Sequence, residues 1–200
     1  MPPCALHRPL DVALRDDTPI RIRAVQPKDR ALIQEGLERF SRTSTYHRFF
    51  TPVVQFTEEH LRYLTEVDGR DHCALGALDR SADIPIGVGI ARYIRLPEEP
   101  KVAEAAVSVL DAYQGIGAGS LLLAALSQCA QVHDVETFRG YLLDANRRFI
   151  DHLLRLGAVQ KESHSGIVRV EVPVQARHDD GAAEGAEVAR WAWQQIWAAQ

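Results

Sequence analysis

The sequence predicts an α/β (α+β) fold, in which helices flank one central sheet. One observation is a strand-like alternation of apolar residues at 20–25, followed by a helix-like apolar stripe at 27–39. Another is a glycine-rich turn that joins a short apolar strand at 105–109 to a long helix at 117–131. The third is size, since 200 residues with 46% hydrophobic content can bury one core without a second domain.

The predicted elements follow one another along a single domain. We place this domain at residues 19–174, after a flexible tail at 1–18 and before a polar linker and an amphipathic helix at 175–200. Within the domain we predict strands at 20–25, 72–78, 84–94, 103–109 and 137–143, helices at 27–39, 57–69, 117–131 and 146–156, and a final hairpin at 158–160 and 167–174.

Individual residues mark several of these boundaries. Pro27 suits the first position of a helix. Thr57 is a good helix start because Glu58 and Glu59 occupy the first turn, although His60 stands where a capping box has an acid or amide. Residues 96–101 contain two prolines and two glutamates, which predicts a surface loop.

Composition and charge exclude several classes of protein. The net charge of −4 and the scattered basic residues argue against a nucleic-acid partner. Cys4, Cys73 and Cys129 have no paired spacing, which indicates reduced thiols, and the histidines show no metal-ligand spacing, so we expect no metal. No apolar stretch is long enough for a signal peptide or a membrane span, and we therefore expect a cytoplasmic protein with no membrane partner.

The glycine-rich run at 113–120 is the most informative stretch of the chain. Gly115, Gly117 and Gly119 let the backbone approach a ligand and leave N–H groups free at a helix N-terminus, where the helix dipole favours an anion. We therefore predict that this turn binds phosphate. The run does not match the dinucleotide fingerprint G-x-G-x-x-G, because the third glycine comes one residue early. From Gln114 onward it does match Q/R-x-x-G-x-G/A.

This match and its surroundings resemble the GNAT acetyltransferase superfamily. Residues 103–115 are similar to the A-E-V-A strand and D-x-W/Y-Q-G loop of the Pat-type branch, which acetylates protein lysines. Residues 40–50 resemble that branch's L-S-x-x-S-x-Y-x-R-F-F segment, and residues 146–158 resemble its N-x-x-M-x-x-L-L-x-x-L-G-F helix. The resemblance implies a GNAT fold, with a mixed, mostly antiparallel sheet of about six to seven strands, about four helices and a bulged fourth strand.

The resemblance also implies acetyl-CoA as co-substrate and names the residues of the site. The Pat type has its general base at the position of Glu104, and a base is needed because a lysine ammonium, with a pKa of about 10.4, must lose a proton before its nitrogen attacks. A bulged strand would leave a slot for the pantetheine arm and turn the Val109 N–H toward the thioester oxygen. The implied acetyl-CoA contacts are Val107, Ser108, Val109, Gln114, Gly115, Ile116, Gly117, Ala118, Gly119, Ser120 and Asn146.

Several of these residues carry an alternative interpretation or depart from the superfamily. A strand glutamate such as Glu104 ordinarily points to solvent, and Asn146 is equally suited to cap a helix. Many members have a tyrosine that protonates the leaving thiolate where this chain has Leu153, so the thiolate is expected to leave unassisted. His152 is expected to face away and is given no role.

Three hypotheses from different classes remain open. The first is an N-acetyltransferase that acts on an amine, a protein lysine by the resemblance or else a small-molecule amine. The second is an acyl-CoA sensing module without catalysis. The third is an interaction domain whose terminal helix at 184–200 docks on its own domain, pairs with a second copy or caps the acceptor groove.

Overall fold

One eight-stranded sheet runs through the structure, a computed structural model that describes residues 8–51 and 56–174. Its strands lie in the order β1-β2-β3-β4-β5-β6-β8-β7, and every neighbouring pair is antiparallel except β5 and β6. The strands are β1 (Leu10–Ala13), β2 (Pro19–Ala24), β3 (His72–Asp79), β4 (Ile86–Leu96), β5 (Glu99–Val109), β6 (Thr137–Leu143), β7 (Val159–His164) and β8 (Ile167–Pro173).

Five α-helices accompany the sheet, and the described chain also contains two 3₁₀ turns, at Pro27–Asp29 and Asp111–Tyr113. The helices are α1 (Arg30–Glu38), α2 (Arg42–Phe49), α3 (Glu58–Thr65), α4 (Ala118–Val132) and α5 (Arg147–Arg155). The predicted mixed, mostly antiparallel α/β fold is confirmed, with one or two strands and one helix more than expected.

The extra strand β1 corrects the predicted tail. Residues 10–13 pair with β2, and the side chains of Leu10, at the start of the strand, and Leu14, just after it, are buried in the main core. Four residues are too few for a periodicity to stand out, so the sequence pattern hides this strand. The predicted linker and helix at 175–200 lie outside the described residues.

The extra helix α2 is hidden by its polar sequence. It carries too few apolar residues for a helical stripe, and it begins because the Ser41 side chain accepts a hydrogen bond from the Ser44 N–H at 3.1 Å. The predicted loop at 96–101 is also wrong, because Pro97 and Glu98 alone form a tight turn between β4 and β5. The register of β5 against β4 shifts only beside this turn, opposite Arg95 and Leu96. It is regular from Ala103 to Val109, so the bulge predicted for the strand at 103–109 is not found there.

Thr57 begins α3, as the sequence predicts. Its side-chain oxygen accepts from the His60 N–H, and His60 Nδ1 accepts from the Thr57 N–H, both at 3.3 Å. The imidazole therefore takes the place of the acid in a capping box. The helix ends at Thr65, earlier than predicted, and the Asp68 carboxylate then accepts N–H bonds from the following turn.

The sheet separates two layers of helices. One face, with Leu75, Ala91 and Tyr93, packs against α4 and forms the main hydrophobic core. The other face carries α1, which packs on β4 and contacts α3. Side chains alternate between faces along a strand, so every second residue of β5 points away from the core and toward this second layer.

Two cysteines lie in the core region. Cys73 is buried, whereas Cys129 is disulfide-bonded, so the expectation of three reduced thiols is wrong for Cys129. The odd number of cysteines and their unpaired spacing gave no signal for this bond. Across residues 8–51 and 56–174, no helix is long and apolar enough to cross a membrane, and no group of three or more potential ligands is placed to hold a metal.

A buried ion pair fixes the start of α1. Arg23 donates to both carboxylate oxygens of Asp29 at 2.6 and 2.7 Å, and Asp29 is only 6% exposed. Burial raises the pKa of Asp29, but the bonds from Arg23 and from the Gln26 N–H outweigh it, so the pKa lies below its ordinary value. The pair therefore stabilises the fold above the unfolded pKa of about 3.9, and this stability is lost as pH falls through the folded pKa.

We expect Asp29→Asn to lower the free energy of unfolding at pH 7 by about 3 kcal/mol, because it leaves Arg23 without its carboxylate. The loss should shrink as pH falls through the folded pKa, since the wild-type carboxylate is then protonated as well. Urea titrations over this range measure both effects. Asp11→Asn is the matched control, because the Asp11–Arg21 pair is exposed. Equal losses in the two variants would contradict this account.

Candidate functional site

A gap opens between β5 and β6 in the middle of the sheet. The two strands pair in parallel only from Val102 to Glu104, opposite Thr137 to Arg139. Both continue beyond this point, β5 to Val109 and β6 to Leu143, without further pairing. The splayed strands predicted for a pantetheine slot are therefore present.

The register of β5 shows which backbone groups face this gap. The Leu110 N–H donates to the Val88 carbonyl at 2.8 Å, so alternation makes Val109 a residue whose N–H and C=O point away from β4. The same holds for Ala105 and Val107. Consistently, the Ala105 carbonyl faces Gly140 of β6. Val107 and Val109 thus present N–H groups to the gap, a spacing that suits the amides of an extended arm.

Ser108, which was predicted to contact acetyl-CoA together with Val107 and Val109, differs from them in the direction of its backbone groups. Its backbone groups point to Ile90 of β4, so they are not directed at the gap. Its side chain instead lies on the sheet face that carries Glu104. Any contact from Ser108 to a bound molecule would therefore come from its hydroxyl group.

The glycine turn lies at one end of the gap and leads into α4. Gly115 and Gly117 have φ of 78° and 106°, which is the left-handed region that glycine adopts without strain. The first helical bond is from the Leu121 N–H to the Gly117 carbonyl at 3.0 Å. The N–H groups of Ala118, Gly119 and Ser120 therefore have no partner within the helix, and the positive end of the helix dipole adds to their attraction for a phosphate.

Hydrogen bonds tie this turn to α2. The Asp111 carboxylate accepts from the Ser41 N–H at 3.0 Å, from the Ser41 hydroxyl at 3.1 Å and from the Ser44 hydroxyl at 2.7 Å. Gln114 Nε2 donates to the Val109 carbonyl at 2.9 Å and to the Ser44 hydroxyl at 3.2 Å. Gln114 therefore braces the turn through its side chain, and the N-terminus of α2 is fixed relative to the turn.

Tyr113 anchors the turn to the sheet. Its hydroxyl donates to Asp79 Oδ2 at 2.7 Å, at the end of β3. Burial, followed by this bond and the charge of Asp79, raises the pKa of Tyr113 to about 12. The phenol is therefore a structural donor and is poorly suited to proton transfer near neutral pH.

Two basic side chains lie near the turn, and the sequence analysis assigned a role to neither of them. The Arg148 guanidinium lies so close to Gly115 that a Cβ built there would be 3.1 Å from Nη2. His152 Nε2 lies 3.1 Å from the Ser120 hydroxyl, which corrects the expectation that His152 faces away. Burial, and then the charges of Arg155 and Arg15, lower the pKa of His152. Neither position follows from spacing, because both depend on how α5 packs beside α4.

Glu104 lies on the sheet face opposite the core, where its side chain is exposed. In the ladder it stands opposite Ile94 of β4, and Arg92 is its diagonal neighbour on the same face. The charge of Glu104 is felt by Arg48 of α2. An exposed carboxylate on the edge of the gap is accessible to an amine that approaches from the α2 and α3 side.

Two residues of the α5 region bear on the predicted chemistry. Asn146 is the N-cap residue of α5, but its side chain makes no capping hydrogen bond, which leaves the amide available to a ligand. Leu153 is buried in the second core cluster, so the position of the superfamily tyrosine offers no acid. The unpaired part of β5 thus runs from Glu104, the last residue paired with β6, toward the glycine turn that follows the strand.

This arrangement fits a molecule with a diphosphate and an extended amide-bearing arm. The free N–H groups of α4 suit the diphosphate, and the outward groups of Val107 and Val109 suit the arm.

Comparisons with known proteins agree with this geometry. The chain is 34% identical over 170 residues to the acetyltransferase Pat of Mycolicibacterium smegmatis, covering 85% of this chain and 50% of that protein. It is 28% identical over 147 residues to the Pseudomonas aeruginosa acetyltransferase PA5475, covering 74% of this chain and 78% of that protein. The crystal structure of the GNAT domain of S. lividans PAT superposes with a TM-score of 0.75 at 29% identity, covering 82% of this chain and 96% of that domain.

The extent of these matches differs. The chain spans about half the length of the Mycolicibacterium relative but nearly the whole S. lividans GNAT domain. No protein-family model matches the chain.

Proposed function

This chain belongs to the GNAT acetyltransferase superfamily and resembles its Pat type, and we propose that it transfers the acetyl group of acetyl-CoA to an amine. The acceptor in this proposal is a protein lysine side chain, as in the Pat-type branch. The observation that supports the proposal most directly is the gap beside β5, which begins at the exposed Glu104 carboxylate and continues along the strand toward the turn before the free N–H groups of α4.

The reaction proceeds by direct transfer in a ternary complex. Glu104 accepts a proton from the acceptor ammonium, directly or through one water molecule, and the freed nitrogen attacks the thioester carbonyl. A backbone N–H of β5 stabilises the developing oxyanion. The C–S bond then breaks as the nitrogen loses its remaining extra proton to water or to the departing thiolate, which receives no proton from a protein acid because Leu153 supplies none.

Strand spacing favours Val107 over Val109 as the donor to that oxyanion. Residues of a strand rise by about 3.3 Å each, so Val109 lies roughly 16 Å along β5 from Glu104, whereas Val107 lies roughly 10 Å away. The base acts on the attacking nitrogen, and the oxyanion donor acts on the carbonyl group that this nitrogen attacks, so the two protein groups must lie near each other. We therefore assign the carbonyl to Val107 and the pantetheine amides to Val109.

The proposal includes contacts for the rest of the co-substrate. The diphosphate contacts the backbone from Gly115 to Ser120, with Arg148 at its side. The pantetheine arm lies beside Asn146, whose amide is not used as a helix cap. The reaction is placed in the cytoplasm, where acetyl-CoA is available to enzymes.

The test combines acetyl-CoA and a lysine-rich protein substrate with the purified chain. We expect amine-dependent release of the coenzyme A thiol and acetyllysine in the substrate by mass spectrometry. Thiol release with small amines alone would favour a small-molecule acetyltransferase. Acetyl-CoA binding without transfer to any amine would favour the sensing module.

A further inference from the structure

Arg48 and Arg92, two largely buried arginines near Glu104, differ from the other largely buried arginines in having no ion-pair partner among the residues that the structure describes. Those others each hold a carboxylate within ion-pair distance, as in Arg23–Asp29 at 2.6 Å, Arg95–Asp71 at 2.7 Å and Arg139–Glu99 at 2.7 Å. Arg48 and Arg92 form no ion pair with any residue in the described ranges 8–51 and 56–174.

Arg92 is the more buried of the two, with 6% of its surface exposed. Its Nη2 donates to the Leu64 carbonyl at 2.7 Å, and its Nη1 lies 3.4 Å from His72 Nε2. Burial, and then the charge of Arg92, lower the pKa of His72, so this neighbour is a neutral imidazole near pH 7. Neither contact neutralises the guanidinium.

Arg48 belongs to α2, which contacts β6, and its charge interacts with those of Glu104 and Arg92. Its guanidinium carbon lies 5.0 Å from the centre of the Phe49 ring, and no hydrogen bond from it reaches another described residue. Burial, and then repulsion from Arg48, lower the pKa of Arg92 to about 10. Glu104 attracts Arg48 but makes no direct ion pair with it.

Two neighbouring guanidinium groups on one partly buried surface repel each other and lose hydration. Such unpaired charges destabilise the fold unless an anion joins them. The planar fork of arginine suits a carboxylate, which it binds through two parallel hydrogen bonds. The anion would lie on the face from which an acceptor amine reaches Glu104.

We propose that Arg48 and Arg92 bind a carboxylate of the acceptor, so that the acceptor is an amine that also carries an acidic group. This inference rests on the proposed acetyl transfer. The carboxylate can belong to a free amino acid or to an acidic side chain beside the acceptor lysine of a polypeptide. Both sources present the same chemistry to the two arginines.

The experiment compares amines that differ only in this charge. Initial rates of coenzyme A release are measured with lysine and with lysinamide, and with two peptides whose acceptor lysine is flanked by glutamate or by glutamine. For at least one pair we expect kcat/KM to be about tenfold or more higher for the acidic member, the effect of one charge-assisted hydrogen bond. The pair that shows the preference identifies the source of the carboxylate.

Two variants assign the preference to the arginines. Arg48→Gln should bring the ratio of kcat/KM between acidic and neutral acceptors close to one. Arg62→Gln is the matched control, because it removes the same charge from a side chain of α3 that is 65% exposed, and it should leave the ratio unchanged. Arg92→Lys keeps a charge at the buried position but loses the fork, and it should lower the ratio without unfolding the chain.

Other results would overturn the inference. Equal rates for both members of each pair, or an Arg48→Gln variant that slows both members equally, would show that the arginines are only structural. A chain that binds no acetyl-CoA and releases no thiol with any amine would instead overturn the proposed acetyl transfer.

Discussion

Glu104→Gln is expected to lower kcat by about 10²–10⁴-fold, the usual contribution of a general base. The amide has nearly the shape of the carboxylate but cannot accept the proton of the acceptor ammonium. Acetyl-CoA affinity should stay unchanged, because Glu104 lies on the sheet face opposite the core, whereas we propose that the gap and the glycine turn hold the co-substrate. Steady-state kinetics with saturating acetyl-CoA and calorimetric titration measure the two quantities separately.

Glu98→Gln provides the control for this variant. Glu98 is an exposed residue in the tight turn between β4 and β5, so its substitution removes the same charge without touching the opening. It should keep full turnover. Equal turnover of Glu104→Gln and wild type would remove Glu104 as the base, while a joint loss of turnover and acetyl-CoA affinity would make it a binding residue.

Gly117→Val is expected to weaken acetyl-CoA binding by about two orders of magnitude. The residue has φ of 106° at the N-cap of α4, where a β-branched side chain is strained by about 1–3 kcal/mol. Relief of this strain would turn the following N–H groups away from the diphosphate, and each charge-assisted bond contributes about 1.5–3 kcal/mol. Calorimetric titration gives the affinity, and circular dichroism shows whether the fold survives.

Gly36→Ala is the matched glycine control. Gly36 lies in α1, and a Cβ built there meets nothing within 4 Å. Alanine should stabilise the helix by up to about 1 kcal/mol and leave acetyl-CoA affinity unchanged. Gly117→Ala is a milder second variant in case valine unfolds the chain. Normal affinity in a folded Gly117→Val protein would argue against the turn as the diphosphate site.

The order of elements was predictable wherever apolar periodicity is strong. The long apolar face of α4 and the glycines before it define the strand-turn-helix unit, and β6 has the bounds that the sequence predicts. Polar or short elements were missed for physical reasons. The helix α2 depends on the Ser41 cap and on Asp111, a residue 70 positions away in the chain, and neither leaves a periodic signal.

The candidate site was predictable only in part. The glycine turn and Glu104 lie in short segments that resemble the superfamily, so both could be identified from the sequence alone. The gap beside β5 depends on where pairing with β6 stops, and the Arg48–Arg92 pair depends on strand register and helix packing. Such long-range relations cannot be worked out from local spacing, and the same is true of Arg148 and His152.

The central claim is that this chain binds acetyl-CoA along the gap and the glycine turn. Calorimetric titration of the purified protein with acetyl-CoA tests it without any assumption about the acceptor. The account predicts one site per chain with micromolar affinity, which Gly117→Val weakens by about two orders of magnitude and Glu104→Gln retains. Absence of binding to the folded wild-type protein would contradict the account and favour an interaction domain whose glycine run is only a tight turn.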